Sequence, residues 1–180
     1  TWEKEGLPLW PGEALPPAGP QVNVVVEARP GELPYTVINP ELAQARDGES
    51  LGIRLRGAGP FALRPVDFAK YKRVTISKDK EKDPVPVVLA LPDDGATGTD
   101  PVAMMNTRGM FIATGVEFII DATLFPRSKS VTLVRSSSSD VRLSGCRVSA
   151  IGDSEESPAV TVVQVSGDAV SREGGPATTR

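Results

Sequence analysis

The stretch DVRLSGCRVSAIG, residues 140–152, decides how the chain is read once it is laid against MFIATGVEFIIDA, residues 110–122. Both place a glycine, Gly145 and Gly115, between two short apolar segments. Aligned on the glycines, Ala113 falls on Leu143, Thr114 on Ser144, Val116 on Cys146 and Phe118 on Val148. A second set of positions recurs at nearly the same spacing. Met104, Leu133 and Val162 follow one another at equal intervals, inside VAMM, VTLV and VTVV.

Self-similarity at about 20–50 residues marks a solenoid or array, and both sets repeat at about 30 residues. The segments are short and β-branched, and Gly, Ser and Asp join them. The leucine and asparagine pattern of a leucine-rich repeat is absent, and a propeller blade needs about 40–50 residues. A parallel β-helix fits best, because each strand stacks on its equivalent one coil later, at a spacing of ~4.8 Å. Glycine then recurs where the coil turns between sheets, since a side chain there would clash or need an unfavourable φ. The competing fold is an antiparallel sandwich or barrel, whose strands also recur every ~8–12 residues.

Working outward, Val22, Val24 and Val26 alternate with Asn23 and Val25, a strand ended by Pro30 and Gly31. Asn39 before Pro40 reads as the N-cap of a short helix with Leu42 and Ala45 on one face and Gly48 as its stop. Ile53 and Leu55 form a strand, Gly57, Gly59 and Pro60 break it, and Phe61 and Leu63 resume it. Val74 and Ile76 point one way in the next strand, and PVVLAL (86–91) is a further one. Residues 1–20, with five prolines and the tryptophans Trp2 and Trp10, read as an opening segment or linker. Packing of the tryptophans as a cap is the plain reading there, and sugar stacking the sharper one. The expected organisation is linker 1–20, β-helix domain 21–168 and tail 169–180. The chain opens at Thr1 without a methionine, which suggests a processed protein or a piece of a larger one.

Composition narrows the chemistry. The 180 residues are 39% hydrophobic and 24% charged, in the range of a folded domain. No apolar run approaches the ~20 residues of a membrane span. The net charge is −3, aromatics are 5%, and there is no basic stripe, so a nucleic-acid partner is not expected. KYKRVTISKDKEKD, which begins at Lys70, is read as a solvated surface, with a phosphate-binding patch as the sharper alternative. The chain has no histidine, which excludes Ser-His-Asp catalysis, Cys-His proteolysis and histidine-bound zinc within it. Cys146 stands alone and reads as a buried structural thiol. There is no Gly-x-Ser-x-Gly, and RSSSSD (135–140) is a polar turn. GAGP (57–60) lacks the Gly-Lys-Ser/Thr of a phosphate loop.

Two stretches carry a family resemblance. One is the run from Tyr35 to Ile76, with Thr36 and Val37, Leu42 and Ala45, Gly48 and Glu49, Ile53 and Leu55, Gly57, Phe61, and Val74-Thr75-Ile76. The other is the coil pair 102–167. Together they resemble the right-handed parallel β-helix proteins of the pectin-lyase-like superfamily. The resemblance implies an all-β, right-handed parallel β-helix with a short N-terminal capping helix that hides an open sheet end. It implies architecture far better than activity. The polygalacturonase-like members carry paired aspartates on a strand and a Gly-His-Gly. Here Asp93 and Asp94 fall in a Gly/Thr loop and histidine is missing. The arginines and calcium-binding aspartates of pectate-lyase-like members have no convincing equivalent.

The candidate residues follow from these coils. Glu117 and Asp121 lie four apart on one strand and are the candidates for a carboxylate pair acting on a glycosidic bond. Arg147 would lie beside Glu117 one coil on, which makes a surface ladder the plainer reading. Asp93, Asp94, Asp100 and Arg147 are the candidate ligand-binding residues. Asp140, Asp153, Glu155 and Glu156 sit in turns, and calcium would need them to converge. No metal and no cofactor is expected. The expected role is a non-catalytic, extracytoplasmic binding or display module of a larger bacterial protein, with polysaccharide or neighbouring domains as partners. The binding face would be an exposed sheet with loops 92–101 and 121–130. The alternatives are a polysaccharide lyase or glycoside hydrolase, and a purely structural solenoid segment with an open last coil.

Overall fold

The computed structural model describes residues 21–29, 34–45, 49–93, 101–125, 130–137, 140–152 and 158–166. Trp2, Trp10, Gly48, Asp94, Asp100, Asp153, Glu155, Glu156 and the tail 169–180 lie outside the described residues. The chain winds as a parallel β-solenoid of about four turns, four three-strand coils that follow a partial opening coil closed by a helix. The first coil holds β1 (Gln21–Glu27), β2 (Thr36–Val37) and the helix α1 (Asn39–Ala43). The second holds β3 (Ser50–Arg56), β4 (Phe61–Leu63) and β5 (Val66–Asp67). The third holds β6 (Arg73–Lys78), β7 (Val87–Ala90) and β8 (Val102–Thr107). The fourth holds β9 (Met110–Thr114), β10 (Glu117–Asp121) and β11 (Val131–Ser136). The last holds β12 (Val141–Ser144), β13 (Arg147–Ile151) and β14 (Val160–Val165).

Like strands stack into three sheets. Sheet A runs β1-β3-β6-β9-β12, sheet B β2-β4-β7-β10-β13, and sheet C β5-β8-β11-β14. Every pairing is parallel. The sandwich alternative, which needs antiparallel neighbours, is therefore overturned. Both repeats read from the sequence appear as strand register. Phe118 pairs with Val148 and Ala113 with Leu143, the same partners that alignment on the glycines gives. Val131 pairs with Val102 on one side and Val160 on the other, in step with the second repeat.

Stacking places one apolar row above the next. In sheet A, Leu51, Val74 and Phe111 form one buried row, and Ile53, Ile76 and Ala113 another. In sheet B, Phe61, Val88 and Phe118 line up beneath Leu63, Ala90 and Ile120. Burying each large side chain contributes about 1.5–3 kcal/mol, so these rows are the main source of stability. The turn glycines Gly115 and Gly145 have φ of +62° and +59°. A Cβ at Gly115 would meet nothing within 4 Å. Of the two reasons for glycine, clash or φ, it is φ that applies here.

Two local expectations are corrected. Asn39 does not cap α1; the N-cap position is Ile38, with no side-chain cap bond. The Asn39 side chain is used instead to bind the next coil. Its Oδ1 accepts from Arg64 N at 2.9 Å and its Nδ2 donates to Arg64 O at 3.2 Å. Cys146 is half-buried, not buried. Its coil is the last one described, so no described strand stacks on its far side. The helix itself is where expected; Leu42 within it and Ala45 just beyond its end pack against the core. It follows β2, the place where later coils place their sheet C strand.

Candidate functional site

The candidate acids sit on the outer face of sheet B. Glu117 pairs in register with Arg147 of the next coil, and Arg147 Nε lies 3.6 Å from Glu117 Oε1. An exposed pair of this kind is worth little by itself. Asp121 ends the same strand. Its Oδ1 accepts from Thr123 N at 3.0 Å and from Thr123 Oγ1 at 2.6 Å, capping a 3-10 turn, Ala122–Leu124. At ~3.3 Å per residue the two backbone positions stand about 13 Å apart. Glycosidase carboxylates stand roughly 5–9.5 Å apart. The strand thus puts both acids on one face but does not bring them together. Asp93 is exposed at the edge of a described stretch.

Sequence reasoning missed two polar ladders. On sheet C, Asp67, Asn106, Arg135 and Gln164 lie side by side on successive coils. Arg135 Nε donates to Gln164 Oε1 at 3.1 Å, and Asn106 Nδ2 to Asp67 Oδ1 at 3.5 Å. Asp67 also accepts from Ala69 N at 2.8 Å. The row spans every coil of sheet C, with amide, guanidinium and carboxylate groups set at the strand spacing of ~4.8 Å. Asn106, Arg135 and Gln164 recur at the same interval as Met104, Leu133 and Val162, so that interval was the available signal. Asp67 pairs at a longer offset and had none.

The second ladder lies along sheet A. Arg56 Nε donates to Asp79 Oδ2 at 2.9 Å, and Arg56 Nη1 lies 3.8 Å from Glu27 Oε2. The Asp79 hydrogen bond first, and its charge second, hold the guanidinium above its ordinary value, while burial opposes. This acid–base–acid column spans three coils and reads as a structural staple.

Among the described residues, no three of the acids and Cys146 gather closely enough to hold a metal ion. Among the same residues, no helix is long and apolar enough to cross a membrane. Comparison with protein-family models, with curated proteins and with solved structures returned no match.

Proposed function

We propose that the chain is a non-catalytic binding and display module of the pectin-lyase-like kind, carried by a larger extracytoplasmic bacterial protein, with polysaccharide as its ligand. The sheet C ladder is the observation that carries this reading. A row of Asp67, Asn106, Arg135 and Gln164 at a fixed spacing offers repeated donors and acceptors to a hydroxyl-rich chain lying along the solenoid. Such a surface suits a polymer because polymer and row both repeat in one dimension. The engagement of Glu117 by Arg147 and of Asp121 by Thr123 supports binding over cleavage.

A glycan array probed with the whole chain tests the reading. Binding to a polysaccharide class that weakens at least fivefold in Arg135→Ala and Asn106→Ala, with unchanged circular dichroism, is the expected result. Absence of glycan binding, or binding indifferent to both substitutions, would overturn it. Release of shortened oligosaccharides would favour the lyase or glycosidase alternative.

One observation favours the structural reading as a second one. The last coil leaves its sheet edges β12, β13 and β14 unpaired among the described residues. Its core positions Val141, Leu143, Val148 and Val160 are only half-buried, and Ile151 and Val165 are 54% and 47% exposed. Three parallel edges over an apolar interior fit a further coil stacking on this end. Fusing a polar capping coil after β14 should raise the melting temperature if that end is built to be covered. An unchanged value would count against the structural reading.

A further inference from the structure

The two ends of the sheet C ladder differ. Gln164 lies on the last described coil, and Asp67 lies on β5, the first strand of the sheet. One coil before β5 the chain holds α1 in place of a strand. A helix satisfies its own backbone groups and cannot extend a strand ladder. At about 10–12 Å across it is also bulkier than a strand, and none of its residues is buried, so it stands at the surface beyond the end of the row. Asn39 ties it to the backbone of Arg64, two residues before β5 begins.

Between α1 and β5 lies a pocket of about 370 Å3. Leu42 and Ala43 of α1 line it from one element, Val66 and Phe68 from the other. Leu51, a core residue, lines it too, so the pocket reaches down to the core. Its wall is firmly built. The Phe68 and Tyr71 rings are buried with centres 6.5 Å apart, and Tyr71 N donates to Phe68 O at 2.9 Å. Asp67 belongs both to this lining and to the ladder. The bonds from Ala69 N and Asn106 Nδ2 both fall on its Oδ1. Among the described residues no hydrogen bond reaches Oδ2, so an exposed residue offers an open acceptor where the row meets the pocket.

We propose that this pocket receives the terminal sugar of a glycan lying along the ladder, so that the module recognises chain ends rather than chain interiors. The inference rests on the reading of sheet C as a glycan surface. A polymer following the row is stopped by α1, and the pocket lies at the stop. Its volume falls in the ~300–1,000 Å3 of small-ligand sites. Its apolar sides suit the C–H face of a sugar ring, and Asp67 Oδ2 accepts a hydroxyl proton from the same ring. Asp67 and Arg135 offset one another within the row, so the matching glycan is neutral. The row spans three strand spacings, roughly 14 Å. Contacts therefore stop accumulating once a chain covers the pocket and the row.

Calorimetric titration of the whole chain tests this, with size-graded oligosaccharides of xylan, mannan, galactan and β-glucan as probes. In a series that binds, affinity per chain is expected to rise with length and then hold constant, because each chain has one such end. Binding within chains would keep rising, because longer chains offer more registers. Ala43→Trp fills the pocket from an exposed position. It should weaken the shortest oligosaccharides that bind at least tenfold, with an unchanged circular dichroism spectrum. Arg135→Ala should weaken only chains long enough to reach β11. A steady rise with length, or binding indifferent to Ala43→Trp, would overturn end recognition and leave the ladder reading standing. Binding of no series would overturn both.

Discussion

At the scale of single residues, the fold depends on a few positions whose backbone has no alternative. Gly115 and Gly145 turn the last two coils from sheet A to sheet B with positive φ, and Gly115 has open space around it. An alanine at Gly115 would fit sterically but take on the left-handed conformation, which costs about 1–2 kcal/mol. Asparagine, which tolerates that region better, should cost less. Chemical denaturation of Gly115→Ala and Gly115→Asn checks the order; equal losses, or none, would show that φ is not the reason for glycine. Arg56 supports a prediction on pH. Asp79 raises its pKa above the ordinary arginine value. A raised folded-state value means the stabilisation is fully present below the unfolded value and is lost only as pH climbs past the folded one. Arg56→Gln should therefore lower the melting temperature by the same amount at neutral and at mildly alkaline pH. A penalty that shrinks on going alkaline would contradict this account of the ladder.

At the scale of elements, the same row of sheet B is packed very differently from coil to coil. Phe118 on β10 is 1% exposed, whereas Val148, its partner on β13, is half-buried. Phe118→Ala should cost about 3–5 kcal/mol. Val148→Ala should cost under about 1 kcal/mol, because its burial is already incomplete. Urea titration of the two variants reads the difference, and similar losses would mean that the last coil is covered. The last two coils were legible in the sequence because their register is nearly constant across all three sheets. The earlier coils were not. Leu51 pairs with Val74 after a short coil and Val74 with Phe111 after a much longer one, because residues 79–86 and 91–101 lengthen the third coil. The Glu27–Arg56–Asp79 ladder was hidden for the same reason. Asp79 lies just beyond β6, where no fixed period leads from Arg56. At Asn39 the Asn-Pro pair is a good local cap signal, and the long-range bonds to Arg64 win over it.

At the scale of the molecule, the solenoid is graded along its axis. Its middle coils hold the fully buried phenylalanines Phe61, Phe68, Phe111 and Phe118, and the described residues of its last coil hold none. Each coil is stabilised mainly by its neighbours, so the strands with one neighbour are the weakest. That gradient and the sheet C ladder both follow from parallel stacking in register. Thiol cross-linking tests that stacking most directly. In a Cys146→Ser background, Ile119→Cys with Ser149→Cys places two outward thiols on adjacent strands at ~4.8 Å. A control pairs Ile119→Cys with Ile151→Cys, which is out of register along the same strand. The parallel solenoid predicts that a short bifunctional reagent bridges the first pair much faster than the second. Equal rates, or faster bridging of the control, would contradict the register and with it every site described above.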